Sequence, residues 1–165
     1  MSQSEEQKVQ FKEVMRNYPT GVTIITATDK EGNPVGLTVN SFASVSLDPL
    51  LILWSIDHRS SNIDVFKSAD SFAVHVLAAN QKDVGYTFAK KGVDRFSTCE
   101  WRISEYGLPI ISDSYAVLQC KTFKQVEAGD HTILIGEVVE IEKNDKEPLL
   151  YYQGSFSALP ERIEL

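Results

Sequence analysis

The chain reads as a mainly β protein with short helices, folded into a closed or nearly closed, Greek-key-like antiparallel barrel. Three features predict this. Short apolar, β-branched runs recur along the whole length, punctuated by Gly, Pro, Asn and Asp turn signals. Two of the longest, Tyr115 to Val126 and His131 to Ile141, are separated only by Glu127-Ala128-Gly129-Asp130 and so should pair as a hairpin. Helical patterning is confined to the beginning and the middle of the chain.

Ser4 and Gln7 have capping-box spacing, and Val9, Val14 and Met15 give the first helix a partial apolar face. Asn17-Tyr18-Pro19 ends it, because the residue before proline is pushed out of the helical region. Thr20 to Thr28 is β-branched and reads as a strand. The polar turn Asp29 to Pro34 returns it as a hairpin from Val35. Leu37 to Leu47 forms a further strand-like stretch, and Leu50 to Ile56 is apolar enough to be buried on both faces. Ser60-Ser61-Asn62 starts a short helix to about Ser68, and Ser71 to Leu77 is a strand. Asn80 is placed to cap a helix running to about Lys91, with Asp83 at its positive end. Residues 92–110 are ambiguous, with Gly92, Gly107 and Pro109 marking loops around Cys99 to Ile103. Leu149 to Tyr152 and Ser155 to Leu159 are the last strands.

A chain of 165 residues makes one domain with its own core. Its composition, 42% hydrophobic and 24% charged, is that of a globular protein. The net charge of −7 argues against a nucleic-acid partner, which needs a basic footprint. Cys99 and Cys120, with no CxxC, suit two buried thiols in a reducing compartment, and no zinc-ligand spacing occurs. The polar, acidic N-terminus does not resemble a signal peptide, and no apolar run is long enough to span a bilayer. A cytoplasmic location without membrane attachment is expected.

Four segments carry groups suited to chemistry. Thr38, Asn40, Ser41, Ser44 and Ser46 place neutral donors and acceptors on or beside an apolar strand. A flat heterocycle with N–H and C=O edges needs such a surface, although the same pattern suits a solvent-facing strand. Ser55 and Ser60-Ser61-Asn62, with Arg59 and Lys67 nearby, suit either a phosphate or ordinary helix capping. Gly129-Asp130-His131 puts an imidazole at a barrel rim, able to hydrogen-bond a carboxamide or supply a proton, or else simply to sit in a polar hairpin. Lys90, Lys91 and Arg95 form a local basic patch that suits a phosphorylated ligand or a helix C-terminus. His75 belongs in a core or interface, and His58 beside Asp57 and Arg59 should be exposed. No GxGxxG, P-loop or paired-carboxylate set occurs, so a nicotinamide cofactor would not be held by a Rossmann unit.

Taken in order, several pieces resemble one family. They are Pro19-Thr20-Gly21-Val22, Gly36-Leu37-Thr38-Val39-Asn40-Ser41-Phe42, Ser44 to Leu50, Phe72 to Leu77 with Gln81, and Phe88-Ala89. Gly129-Asp130-His131, Gly136 and Pro148 to Gly154 complete the set. Over roughly residues 10–159 the chain is similar to the short-chain flavin reductases, the reductase components of two-component flavin-dependent monooxygenases. The resemblance implies an FMN-binding split barrel, a single flavin reductase-like domain over residues 1–165, and a homodimer with flavin near the subunit interface. It implies that Thr38, Val39, Asn40 and Ser41 line the isoalloxazine, and that Ser55, Ser61 and Asn62 lie toward the ribityl and phosphate. Phe88, Ala89 and Lys90 would lie nearby, and His131 would approach the nicotinamide as the catalytic residue. The implied cofactors are FMN or FAD, with NADH or NADPH as electron donor, and the implied acceptor of reduced flavin is an oxygenase component. A flavin-binding electron carrier or sensor would carry the same site, and a purely structural barrel would carry none.

Overall fold

The structure, a computed structural model, describes residues 4–161. Its first element follows the capping-box spacing. The Gln7 N–H donates to Ser4 Oγ at 3.1 Å, and the Ser4 N–H donates to Gln7 Oε1 at 3.0 Å. Two of the donors left open at the start of α1 (Glu5–Arg16) are thereby satisfied reciprocally. Asn17 closes the helix ahead of Pro19. The apolar face is not buried against the rest of the chain: Val9, Phe11 and Val14 are 64%, 67% and 66% exposed.

The strand expected over 20–28 divides at Val22, which turns into the core. β1 (Thr20–Gly21) leaves to pair with β11 (Leu149–Tyr152), which also pairs with β12 (Ser155–Ala158). β2 (Thr23–Thr28) and β3 (Pro34–Val39) form the expected hairpin. Its turn is held by Asp29, whose carboxylate accepts the N–H groups of Glu31 and Asn33 at 2.9 and 2.8 Å.

The stretch expected as one strand over 37–47 breaks at residues 40–42. β4 (Ala43–Leu47) lies at the opposite edge of the main sheet from β3. That sheet has seven antiparallel strands in the order β3-β2-β6-β9-β10-β5-β4. Its members include β5 (Leu50–Asp57), β6 (Ser71–Val76), β9 (Ala116–Ala128) and β10 (His131–Lys143). Because β3 and β4 are consecutive in the chain, residues 40–42 span a seam between the two edges. The sheet curls strongly. A flat one would hold β5 and β6 roughly 14 Å apart, yet the rings of Trp54 on β5 and Phe72 on β6 have centroids 5.9 Å apart. Trp54, Phe66, Phe72, Ile25, Val74, Cys120 and Leu134 fill the space they enclose.

β5 is not buried on both faces as its composition suggests. Ile52, Trp54 and Ile56 are buried, while Leu51, Leu53 and Ser55 on the other face are only half-buried and Leu50 is exposed. Its curled sheet has an inside and an outside, so an antiparallel alternation holds even in a run of apolar residues. α2 (Ile63–Ser68) and β6 fall where expected.

The helix expected from Asn80 to about Lys91 is shorter and starts later. Buried Gln81 accepts the Ala78 N–H at 2.9 Å and donates to Ser112 O at 2.9 Å, holding Ala79–Gln81 as a tight 3-10 turn. α3 therefore spans only Lys82–Thr87. It stops because Phe88 dives into the second core cluster, where it is fully buried with Ile24, Leu77 and Phe156. The ambiguous region contains a 3-10 turn at Arg95–Thr98 and a small hairpin of β7 (Trp101–Ile103) and β8 (Pro109–Ile111). No helix among the described residues is long and apolar enough to cross a membrane.

A cationic cleft beside the seam

β3, the segment Asp57–Asn62 and the segment Phe88–Phe96 enclose one cleft with two chambers. The inner chamber, about 360 Å³, is lined by Leu37, Thr38, Asp57, Ser60, Phe88 and Ala89. The outer chamber, about 440 Å³, is lined by Pro34, Val35, Gly36, Val93, Asp94 and Phe96. Arg59, Ser61, Asn62, Lys91 and Arg95 line both.

Backbone contacts fix the floor. The Thr38 N–H donates to Phe88 O at 3.2 Å, and Thr38 Oγ1 donates to Gly85 O at 2.6 Å. Gly36 lets the two aromatic rings below approach: a Cβ there would stand 2.9 Å from Phe88 and 3.2 Å from Phe96. Arg95 clamps the loop onto the strand. Its Nε and Nη2 donate to Lys90 O at 3.1 and 2.7 Å, and its Nη1 donates to Gly36 O. Burial lowers the Arg95 pKa, but a guanidinium stays charged. Its partners among the described residues are all carbonyls, so its charge is held in the cleft wall without a carboxylate ion pair there.

Asp57 is the acidic group of the inner chamber. Arg59 donates to it through Nη2 at 2.7 Å, and the Arg59 N–H donates at 2.8 Å. The guanidinium and that N–H hold the Asp57 carboxyl well below the usual carboxylate range.

The hydroxyls named from the sequence fall into two groups. Ser41 Oγ donates to Ser55 O at 3.2 Å and accepts the Ser55 N–H at 3.0 Å, stitching the seam loop to β5. Val39 packs against the main core, and Asn40 is exposed on the seam. Val39, Asn40, Ser41 and Ser55 do not line either chamber; Thr38, Ser61, Asn62, Phe88 and Ala89 do. Asn62 makes no side-chain cap at the start of α2, although Ser60 Oγ accepts its N–H at 3.3 Å. The Lys90 side chain lies outside the lining, where its carbonyl serves Arg95, while the neighbouring Lys91 lines both chambers.

Gly129 takes φ +63°, as the first residue of a two-residue hairpin turn requires, and His131 opens β10 directly opposite Asp57 of the cleft. Its Nδ1 is 2.7 Å from Asp130 Oδ1, and the ring is 40% exposed at the rim. His75 lies in the core as expected. Its Nδ1 donates to Ile24 O at 3.0 Å and its Nε2 accepts the Ile111 N–H at 3.0 Å, which fixes a neutral ring. His58 is exposed, with Nε2 at 3.0 Å from both Thr132 Oγ1 and Glu127 Oε2. Cys120 is buried and its thiol is pushed up to about 12, whereas Cys99 is only half-buried; neither is in a disulfide.

Sequence reasoning missed the cleft roles of Asp57, Val93, Asp94 and Phe96. Val93 and Asp94 sit on an irregular segment, Phe96 in the short 3-10 turn and Asp57 at the very end of β5, so no periodicity marks a cleft face, and only the fold brings them opposite β3. A slot with an aromatic floor, neutral hydroxyl and amide edges and a cationic side suits a flat heterocycle carrying phosphate.

The chain is similar to known proteins over most of its length. A family model described as flavin reductase like domain matches residues 15–160. The chain is 43% identical over 146 residues to an FMN reductase (NADH) of Agrobacterium fabrum, covering 88% of this chain and 83% of the relative. It is 44% identical over 147 residues to the reductase component of a flavin-dependent trigonelline monooxygenase of Acinetobacter baylyi, covering 89% of this chain but 47% of that protein. Among solved structures, an NADH:FAD oxidoreductase of Streptomyces globisporus, in complex with NAD and FAD fragments, superposes with a TM-score of 0.91. That match is at 34% identity and covers 99% of both chains.

Proposed function

The chain belongs to the flavin reductase-like family, and from that premise we propose that it is an NAD(P)H-dependent flavin reductase whose flavin lies in the cleft beside the seam. The observation that carries the reading is the convergence of Thr38, Ser61, Asn62, Phe88 and Ala89, scattered in sequence, on one cleft with a cationic side. The relatives named for NADH, FMN and FAD support the same cofactors here.

Flavin, when bound, supplies the acceptor for the hydride of a reduced nicotinamide. The protein's own groups orient and bind. Thr38 is held by Gly85 and Phe88, so its remaining acceptor capacity faces the inner chamber at a fixed place. Ser41 and Ser55 keep the seam closed beside it. Ser61, Asn62, Arg59 and Lys91 offer donors to a phosphate, and Lys90 adds positive potential just outside. His131, at the rim, can hydrogen-bond the carboxamide of an incoming nicotinamide and so set its approach.

Reduced flavin would pass to an oxygenase component or another acceptor, as the trigonelline monooxygenase relative's name suggests. The proposal includes a single functional domain and a homodimer. The unburied apolar residues of α1, with Leu47 and Leu50 of the β4–β5 edge, support a second copy of the chain.

The direct test is NADH or NADPH oxidation followed by absorbance with and without added FMN, FAD or riboflavin. Flavin-dependent oxidation is expected. Bound flavin without nucleotide oxidation would move the protein to the carrier or sensor class. His131→Ala should slow hydride transfer by about tenfold or more while flavin affinity changes less. Unaltered turnover in that variant would remove His131 from the mechanism.

A further inference from the structure

The cations of the cleft stand in its middle. Arg59, Lys91 and Arg95 line both chambers and so mark the neck between them. Along β3 the order is Thr38 and Leu37 on the inner side, then Gly36, Val35 and Pro34 on the outer side. These five residues cover roughly 13 Å of extended strand. A flavin mononucleotide carries its phosphate at its end. Seated with its ring in the inner chamber and its phosphate at the neck, it would leave the outer chamber to water. That chamber is the larger of the two, about 440 Å³ against about 360 Å³. Its walls are apolar at Pro34, Val35 and Val93, with Phe96 behind them and Asp94 as a hydrogen-bond acceptor. These are the surfaces that a second flat heterocycle with an exocyclic amine would use.

From this juxtaposition, phosphate-binding cations at mid-cleft with an apolar chamber beyond, we infer that the preferred flavin is the dinucleotide. Its pyrophosphate lies at the Arg59–Lys91–Arg95 neck and its adenosine fills the outer chamber. The inference rests on the flavin reading of the cleft and goes one step further, since that reading alone is satisfied by FMN. Arg95 cannot swing away from the neck without losing its three bonds to Lys90 and Gly36, so the positive charge there is fixed in place. Lys91 has no carboxylate partner among the described residues, which leaves its ammonium available to an anion.

Riboflavin, FMN and FAD are three lengths of one ligand and probe the three sections in turn. Their affinities for the intact protein can be measured by flavin fluorescence quenching, without nicotinamide nucleotide. The expected order is FAD, then FMN, then riboflavin, with FAD tighter than FMN by at least about tenfold. Lys91→Ala should weaken FAD and FMN more than riboflavin. Val93→Glu, at an exposed loop position, should weaken FAD by about tenfold more than FMN. FMN binding as tightly as FAD would overturn the inference while leaving the flavin site intact, and so would a Val93→Glu variant that weakens all three flavins alike. Failure of every flavin to bind would remove the site itself, and the inference with it.

Discussion

Polar side chains in the barrel wall and polar side chains at the cleft mouth are used in opposite ways. In the wall, most polar side chains are satisfied within the protein, although Trp54 Nε1 on β5 and Gln119 Oε1 on β9 are buried with no partner among the described residues. His75 bonds through both ring nitrogens, to Ile24 and Ile111, and Ser41 both donates to and accepts from the backbone of Ser55. At the mouth, Ser61 is exposed, Asn62 makes no cap and Lys91 has no carboxylate partner among the described residues. A buried polar group without a partner is costly, so the wall is under pressure to satisfy its own. Groups facing a cleft are held to no such condition and keep their capacity for a ligand. The same residue types thus stabilise the fold in one place and, in the proposed reading, remain open to flavin in the other.

The largest expected effect belongs to the wall. Burial depresses the His75 pKa from 6.5 to about 4. Above pH 6.5 the ring is neutral whether the chain is folded or unfolded. Between 6.5 and 4 the unfolded chain takes up the proton and the folded chain does not. The stability attached to this residue is therefore complete above pH 6.5 and falls by about 3 kcal/mol by pH 4. Urea unfolding at pH 7 and pH 4.5 should show it. His75→Gln, though less stable throughout, should have a flatter pH dependence, because the other titrating groups cancel in the difference. Equal slopes would mean that His75 is not sealed in the wall.

Gly36 lies where wall and mouth meet. Valine there would push into Phe88 and Phe96, which form the cleft floor. Overpacking of this kind costs about 2 kcal/mol. The displaced rings should also reduce flavin affinity, so both unfolding and flavin titration should move. A loss of stability with unaltered flavin binding would separate the two regions more sharply than the structure indicates.

The wall was largely legible in the sequence. The Ser4–Gln7 cap, the 23–39 hairpin, the paired long strands either side of Gly129 and the buried His75 all follow from local chemistry that acts within a few residues. Errors arose where distant contacts decide. Nothing local separates β3 from β4; they part because curling of the sheet carries them to opposite edges. The helix expected from Asn80 is cut short by Gln81, which finds Ser112 far along the chain, and by the burial of Phe88. The mouth was legible in part. Thr38, Ser61 and Asn62 stood out by residue type, but Val93 and Asp94 reach the cleft on an irregular loop, Phe96 on a short 3-10 turn and Asp57 at the end of β5, none of which carries a period that marks the cleft. The family resemblance added the order of the pieces, which composition does not contain.

The smallest effects test the contrast most directly, because they compare one residue type in the two regions. Ser41→Ala removes both bonds to Ser55, leaving a half-buried N–H and carbonyl without that partner, and should cost about 1.5 kcal/mol of stability. Its influence on flavin binding should be indirect, through a looser seam. Ser61→Ala removes an exposed hydroxyl with no hydrogen-bond partner among the described residues, so stability should stay within about 0.5 kcal/mol. Flavin phosphate affinity should nonetheless fall several-fold, since a hydrogen bond to a charged group is lost only in the complex. Thermal unfolding and flavin titration of both variants give four numbers, and the division between wall and mouth requires them to cross. If Ser61→Ala is the destabilised protein, or if Ser41→Ala loses flavin while keeping its melting temperature, the hydroxyls have been assigned to the wrong sides of that division.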